Sequence, residues 1–211
     1  MNVIESLNWR YATKKFDPLK KISSAKIELL KEAFNLTPTS FGLQPIKMIV
    51  VQNEELQEKF VAHSYFQRQV ADASHVLILC IEKDTTSKDI NAYFDLEKKV
   101  REIDEDVVAT FRKQLIEMYE NKSLQEKQQS AIFQTYIALG NLMTVCALEK
   151  IDACPIEGFI PSKIDELLQL NKINLQSVLM LPIGYRAEDD IMSTMKKVRK
   201  SIKETIIEIK E

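Results

Sequence analysis

Apolar and polar positions follow one another in two rhythms, a period near 3.6 residues and short unbroken apolar runs. Ser23-Ser24 followed by Ile27, Leu29, Leu30, Ala33 and Phe34 has the spacing of a capped amphipathic helix. Thr37-Pro38-Thr39-Ser40-Phe41-Gly42 ends it, because proline and glycine make continuation costly. Ile46 to Val51 predicts a short strand and Glu54 to Ala62 a second helix. Asp72-Ala73-Ser74 leads into Val76-Leu77-Ile78-Leu79-Cys80-Ile81, a run typical of a strand covered on both faces. From Asp89 to Tyr119, apolar residues at 90, 93, 94, 100, 103, 107, 111, 115 and 118 make one helical stripe with a charged back.

Ser123 to Glu149 predicts a long helix with Ile132, Thr135, Tyr136, Leu139, Leu142, Met143 and Cys146 on one side. Ala131, Ala138, Val145 and Leu148 make its second half apolar nearly all round, so it must be buried in a large core or against a partner chain. Ser177 to Gly184 is another buried strand. Ile202 to Ile209 ends in Thr205-Ile206-Ile207-Glu208-Ile209, strand-like but with no turn to bring it back. An α+β fold with a few buried strands and two long core helices accounts for this order.

Length and composition narrow the classes. A chain of 211 residues, 45% apolar and 28% charged, buries a sizeable core and is not disordered. Lys plus Arg number 29 against 31 Asp plus Glu, a balance that argues against a nucleic-acid binder. With only Gly42, Gly140, Gly158 and Gly184, neither G-x-G-x-x-G nor a P-loop can be written, so a bound nucleotide must be held by side chains and ordinary loops. Cys80, Cys146 and Cys154 lack redox or zinc spacing, and His63 and His75 are too few for a histidine-rich metal centre. Met1 to Arg10 carries Glu5 and no apolar core, which is unlike a signal peptide, and Val76 to Ile81 is too short to span a bilayer. The expectation is a cytoplasmic protein without a metal.

Four segments carry residue types suited to a ligand. Arg10 and Lys14 share a face whether their segment is extended or helical, and two converged cations suit a phosphate. Pro38-Thr39-Ser40-Phe41-Gly42-Leu43-Gln44-Pro45 offers hydroxyl and amide groups to a heterocycle. Pro155-Ile156-Glu157-Gly158-Phe159 sets a proline and a glycine around a carboxylate, where backbone N–H groups can approach a ligand. Lys197 and Arg199, two apart in Lys196-Lys197-Val198-Arg199-Lys200, share one face of an extended chain. Taken singly, each reads as well as a solvated surface or a plain turn.

Their joint order is more specific. Arg10-Tyr11-Ala12-Thr13-Lys14 with Phe16-Asp17, then Pro38 to Pro45, then Asp72-Ala73-Ser74-His75, then Pro155 to Phe159, then Lys197-x-Arg199, resembles the FMN-dependent nitroreductase family, closest to its oxygen-insensitive NAD(P)H branch. The likeness runs from Asn2 to about Arg199, while Thr85 to Lys127 matches only in length and helicity. The resemblance implies one nitroreductase-like domain over residues 1–211, a mostly antiparallel sheet flanked by helices, and an intertwined homodimer with exchanged C-terminal strands. Two FMN sites would lie at the subunit interface.

Carried over residue by residue, the segment Arg10, Tyr11, Ala12, Thr13 and Lys14 would line the flavin. Arg10, Lys197 and Arg199 would hold its phosphate, and Lys14 would lie by N1 and the C2 carbonyl, acting in catalysis there. Pro38, Thr39, Ser40 and Gly42 would also bind the cofactor, Thr39 and Ser40 reaching it from the other subunit. Pro155, Ile156, Glu157 and Gly158 would run along one face, with the Glu157 backbone N–H near N5. Gln67 or Gln69 would take the pyrimidine edge, and Phe41 and Phe111 would meet the substrate.

The sequence departs from the family at Ala12, often Ser, at Gly42, often Asn, and at Ile46, often aromatic. The implied activity is a two-electron transfer from NADH or NADPH to a nitroaromatic or quinone-type acceptor by a ping-pong route. The alternative is an FMN-binding sensor or store without turnover.

Overall fold

The computed structural model describes residues 2–210; Met1 and Glu211, the outermost residues of the expected domain, lie outside the described residues. The chain opens with a helix absent from the sequence-based expectation, α1 (Val3–Trp9). Asn2 and Glu5 cap it reciprocally, each side chain accepting from the other's backbone N–H at 2.9 and 3.0 Å. The expected elements follow: α2 (Ser24–Asn35), β1 (Ile46–Val51), α3 (Glu54–His63) and, after the short α4 (Gln69–Asp72), β2 (His75–Glu82). Then come α5 (Ser87–Arg101), α6 (Glu105–Glu120), α7 (Leu124–Leu148), β3 (Asp152–Ala153), α8 (Pro161–Leu167), β4 (Leu175–Gly184) and α9 (Ile202–Thr205).

The four strands form one sheet in the order β1-β2-β4-β3, every neighbouring pair antiparallel. The central strand β2 explains why two layers of helices are needed. Its Leu77, Leu79 and Ile81 enter a core shared with Leu30 of α2 and Ala138, Leu142 and Cys146 of α7. The alternate residues Val76, Ile78 and Cys80 enter a second core with Phe60 of α3 and Ile164 of α8. A strand apolar at every position has two faces to bury, and only a helix layer on each side does it. The expected α+β fold with an antiparallel sheet flanked by helices is what forms.

One expectation is corrected. The stripe from 89 to 119 is two helices, not one, because the chain reverses at Glu102, which adopts a left-handed φ of 55°. The apolar phase runs through the break without proline or glycine, so the spacing alone hides it. Phe94 meets Phe111 edge-on at 5.9 Å, and Arg112 bonds Asp95 at 3.0 Å, closing the pair around its own small core.

The tail expected to pair with a partner chain stands apart in this one. Ile202–Thr205 is one helical turn, capped by Ser201 and Glu204, and residues 206–210 pair with no strand among the described residues. Ile206, Ile207 and Ile209 project into solvent, Ile209 being 93% exposed.

Helix α7 is long and apolar enough to cross a membrane by length and composition alone. Here it lies on the sheet, with Ala131, Ala138, Leu142 and Cys146 buried against it. Its other side leaves Phe133, Tyr136 and Ile137 between 42% and 62% exposed.

Candidate flavin site

The segment after α1 runs extended along the far edge of the sheet. Thr13 N donates to Ala153 O at 3.3 Å, Ala187 N to Lys15 O at 2.9 Å and Asp17 N to Tyr185 O at 2.8 Å. Phe16 packs over Gly184, where an added Cβ would stand 2.9 Å from the ring and 3.1 Å from Ser74 N. The Arg186 guanidinium then lies between two rings, 4.3 Å from the centroid of Trp9 and 4.5 Å from that of Tyr11. Its Nε donates to buried Asp152 at 2.7 Å, which fixes the plane of the stack.

This frame brings the two ends of the chain together. An open cleft of about 410 Å³ is bordered by Arg10, Tyr11, Ala12, Met195, Lys197 and Arg199. The Lys197 ammonium donates to the Arg10 carbonyl. Burial holds Lys197 below the usual lysine range, and the positive charges of Arg10 and Arg199 push it further down. Among the described residues, none of Arg10, Lys14, Lys197 and Arg199 forms an ion pair with a carboxylate, whereas neighbouring Lys15 pairs with Asp189 and Arg186 with Asp152. Cations gathered without counter-charge repel one another, and an anion relieves that repulsion. Thr13 is fully buried, with an Oγ1 that bonds to nothing among the described residues. Lys14 is exposed, and its charge acts on buried Cys154, whose thiol is raised by burial and partly drawn back by Lys14.

Cys154 leads into the second part of the site. Ile156 exchanges hydrogen bonds with Met180, N to O at 2.8 Å and O to N at 3.0 Å, an isolated antiparallel bridge that holds this segment against β4. Ile156 points into the core, and the alternation turns exposed Glu157 outward with its backbone N–H bonded to nothing among the described residues. Gln67 braces this turn by donating from Nε2 to Gly158 O at 2.9 Å and Ser64 O at 3.0 Å. Gln69, at the start of α4, makes no side-chain bond among the described residues. Of the two glutamines, Gln67 is the one joined to the Pro155–Gly158 segment. The Glu157 carboxylate lies by Tyr136 of α7, whose hydroxyl is raised by burial first and then by that charge.

The third part stands elsewhere. After exposed Pro38, residues Ser40 to Gly42 form a tight turn with left-handed Phe41 and Gly42 (φ 57° and 74°). Ser40 N donates to the buried Gln134 Oε1 of α7 at 3.0 Å, and Gln44 N donates to Thr39 Oγ1 at 3.2 Å. Tyr93 of α5 closes over Gly42, where a Cβ would sit 2.7 Å from its hydroxyl. Phe41 and Phe111 are brought together, ring centroids 6.2 Å apart, both more than 40% exposed.

Within one chain these parts do not meet. Ser40 hangs from Gln134, whereas Trp9, beside Arg10, lies under Lys150 just past the end of α7. From Gln134 to Leu148 the helix rises about 21 Å. Glu157 sits at Tyr136, about 200° round the helix from Gln134. The turn at Ser40 and Glu157 therefore lie on opposite sides of α7, and the Arg10 segment lies toward the far end of that helix.

Spacing did not point to the residues that brace this site. Asp152, Arg186 and Trp9 look like ordinary polar or interfacial residues in the sequence. Gln134 left the one usable signal, an amide set in the increasingly apolar half of α7.

The profile described as "Nitroreductase family" matches residues 7–185. A Staphylococcus epidermidis protein provisionally named an NAD(P)H nitroreductase is 35% identical over 89% of both chains. A similarly named Bacillus subtilis protein is 34% identical over 95% of this chain and 96% of its own. Among solved structures, a nitroreductase from Exiguobacterium sibiricum, provisionally named and crystallised with FMN, is 22% identical with a TM-score of 0.84, over 99% of this chain and 98% of its own.

Proposed function

Since the chain belongs to the nitroreductase family, we propose that it is a cytoplasmic, homodimeric FMN-dependent oxidoreductase. It takes a hydride from NADH or NADPH and passes two electrons to a nitroaromatic or quinone-type acceptor, each substrate using the same flavin face in turn. The observation that carries this reading is the unpaired cation cluster of Arg10, Lys197 and Arg199. The donor set fits FMN: guanidinium and ammonium groups for a phosphate, and backbone and hydroxyl donors for a heterocycle.

When bound, FMN supplies hydride chemistry that no side chain of this protein can perform. The protein binds and orients. Arg10, Lys197 and Arg199 would hold the phosphate. Lys14 would supply a fixed positive charge that favours the reduced, more negative form. The Glu157 N–H would offer a backbone donor to the ring, and Gln67 keeps that turn in place. Thr39 and Ser40 of a second copy complete the pocket, with Phe41 and Phe111 forming the apolar floor for the acceptor.

The test is direct. Purified protein carries FMN absorbance and oxidises NADH or NADPH in steady state with menadione or a nitrofuran, giving parallel lines in double-reciprocal plots. Bound FMN without turnover would favour a flavin sensor or store. A protein that stays colourless after FMN addition would refute the reading.

A further inference from the structure

The cation cluster joins two segments far apart in sequence, and one of them has no apolar anchor. Every residue from Ile191 to Lys200 is exposed, so burial of its own side chains does not fix where Lys197 and Arg199 stand. The residue just before this stretch is different. Asp190 is 3% exposed, and its carboxylate collects donors from both segments. Oδ2 accepts from the Tyr11 hydroxyl at 2.9 Å, Lys14 N at 2.9 Å and Lys15 N at 3.2 Å, while Oδ1 accepts from Met192 N at 3.1 Å. Its backbone is tied as well, N to Ala187 O at 3.2 Å and O from Ser193 N at 3.0 Å.

We propose that Asp190 is a positioning residue for the anion clamp. Its buried carboxylate sets the Arg10–Lys15 segment and the 191–199 segment in one register, so that Arg10, Lys197 and Arg199 converge. The inference rests on the reading of that cluster as a phosphate site.

Charge and geometry make opposite demands here, and that makes the role testable. A buried carboxylate beside a cation cluster weakens anion binding by its charge alone, so removing the charge should tighten it. If Asp190 acts by position, removing the charge loosens binding instead. Asp190→Asn keeps the shape but leaves one acceptor oxygen for donors that now use two, and it turns an amide N–H toward backbone N–H groups. Tyr11→Phe removes one of the four donors and leaves the charge in place.

FMN and riboflavin, which differ by the phosphate, are titrated into apo-protein by flavin fluorescence quenching, with thermal melting alongside. Wild type is expected to favour FMN over riboflavin. Asp190→Asn is expected to lose at least about tenfold in FMN affinity with riboflavin affinity unchanged, and Tyr11→Phe a smaller FMN-selective loss. A wild type with no preference for FMN would bring down the phosphate reading and this inference with it. A wild type that prefers FMN, with an Asp190→Asn variant binding it equally or more tightly, would overturn the inference alone. Equal loss of both flavins with a lower melting temperature would make Asp190 a fold element, and so also overturn it. Should Asp190→Asn not fold, unchanged FMN affinity in Tyr11→Phe would overturn it as well.

Discussion

The two halves of the proposed flavin site are held in opposite ways. The half at Arg10, Lys197 and Arg199 is charged, largely solvated and tied by a buried carboxylate, Asp190, that bridges remote segments. The half at Thr39 to Gly42 is uncharged, held by Gln134 beneath and Tyr93 above, in left-handed backbone that costs energy outside glycine. The first can attract an anion by itself. The second offers only dipoles, which discriminate among heterocycles but bind weakly unless something else holds the ligand. In one chain they lie at different places along α7, and in the proposed reading their cooperation would come from a second copy.

The largest way to break this arrangement is to remove the tail. In this chain Ile202, Ile206, Ile207 and Ile209 are 57% to 93% exposed, an apolar series with nothing over it. If the tail lies across a partner, each isoleucine contributes about 1.5–3 kcal/mol on full burial. Truncation after Arg199 should therefore lower the melting temperature, shift the light-scattering mass toward monomer and shed FMN. A truncated protein that stays dimeric, stable and flavinylated would disconnect the tail from the site.

The next largest effect falls on the charged half. A charge-assisted hydrogen bond contributes about 1.5–3 kcal/mol. Arg10→Ala and Arg199→Ala should each weaken FMN between about tenfold and a hundredfold while leaving riboflavin unaffected. On the uncharged half, Gln134→Leu strips Ser40 N of its acceptor. That should weaken FMN and riboflavin alike, by less than the arginine substitutions. Equal responses of the two flavins to both kinds of substitution would erase the distinction between the halves.

The smallest effect is a pH slope. Lys197 is held low by burial and by Arg10 and Arg199, and a bound phosphate raises it again. A group whose pKa rises on binding supports binding while protonated, so FMN affinity should fall as pH climbs through the alkaline range. Lys197→Gln should flatten that slope without changing its counterpart for riboflavin, which isothermal titration at several pH values measures.

Much of the fold was legible because burial writes itself into spacing. The all-apolar run of β2 and the nearly all-apolar half of α7 could have only one kind of neighbourhood. The break at Glu102 left no trace because Val100, Ile103 and Val107 keep helical phase across it. For the tail, the strand-like alternation of Ile207 and Ile209 describes a pairing that this chain alone does not supply.

In the site, the cations and the Pro155–Gly158 turn could be found from residue type and order. Asp190 could not. It sits next to exposed Asp189 in what reads as a solvated acidic pair, and only the folded chain shows one carboxylate buried among four donors and the other paired with Lys15.

The central claim, a site built from two chains, has a decisive measurement. One chain carries Arg10→Ala and Arg199→Ala; the other carries Gly42→Val and Gln134→Leu. Each alone should bind little FMN. Co-refolded in equal amounts, they should form mixed dimers in which one site takes intact cations from one chain and the intact turn from the other, restoring tight FMN binding to about a quarter of all sites. No recovery in verified mixed dimers would mean that both halves act within one chain, and the two-chain account would be wrong.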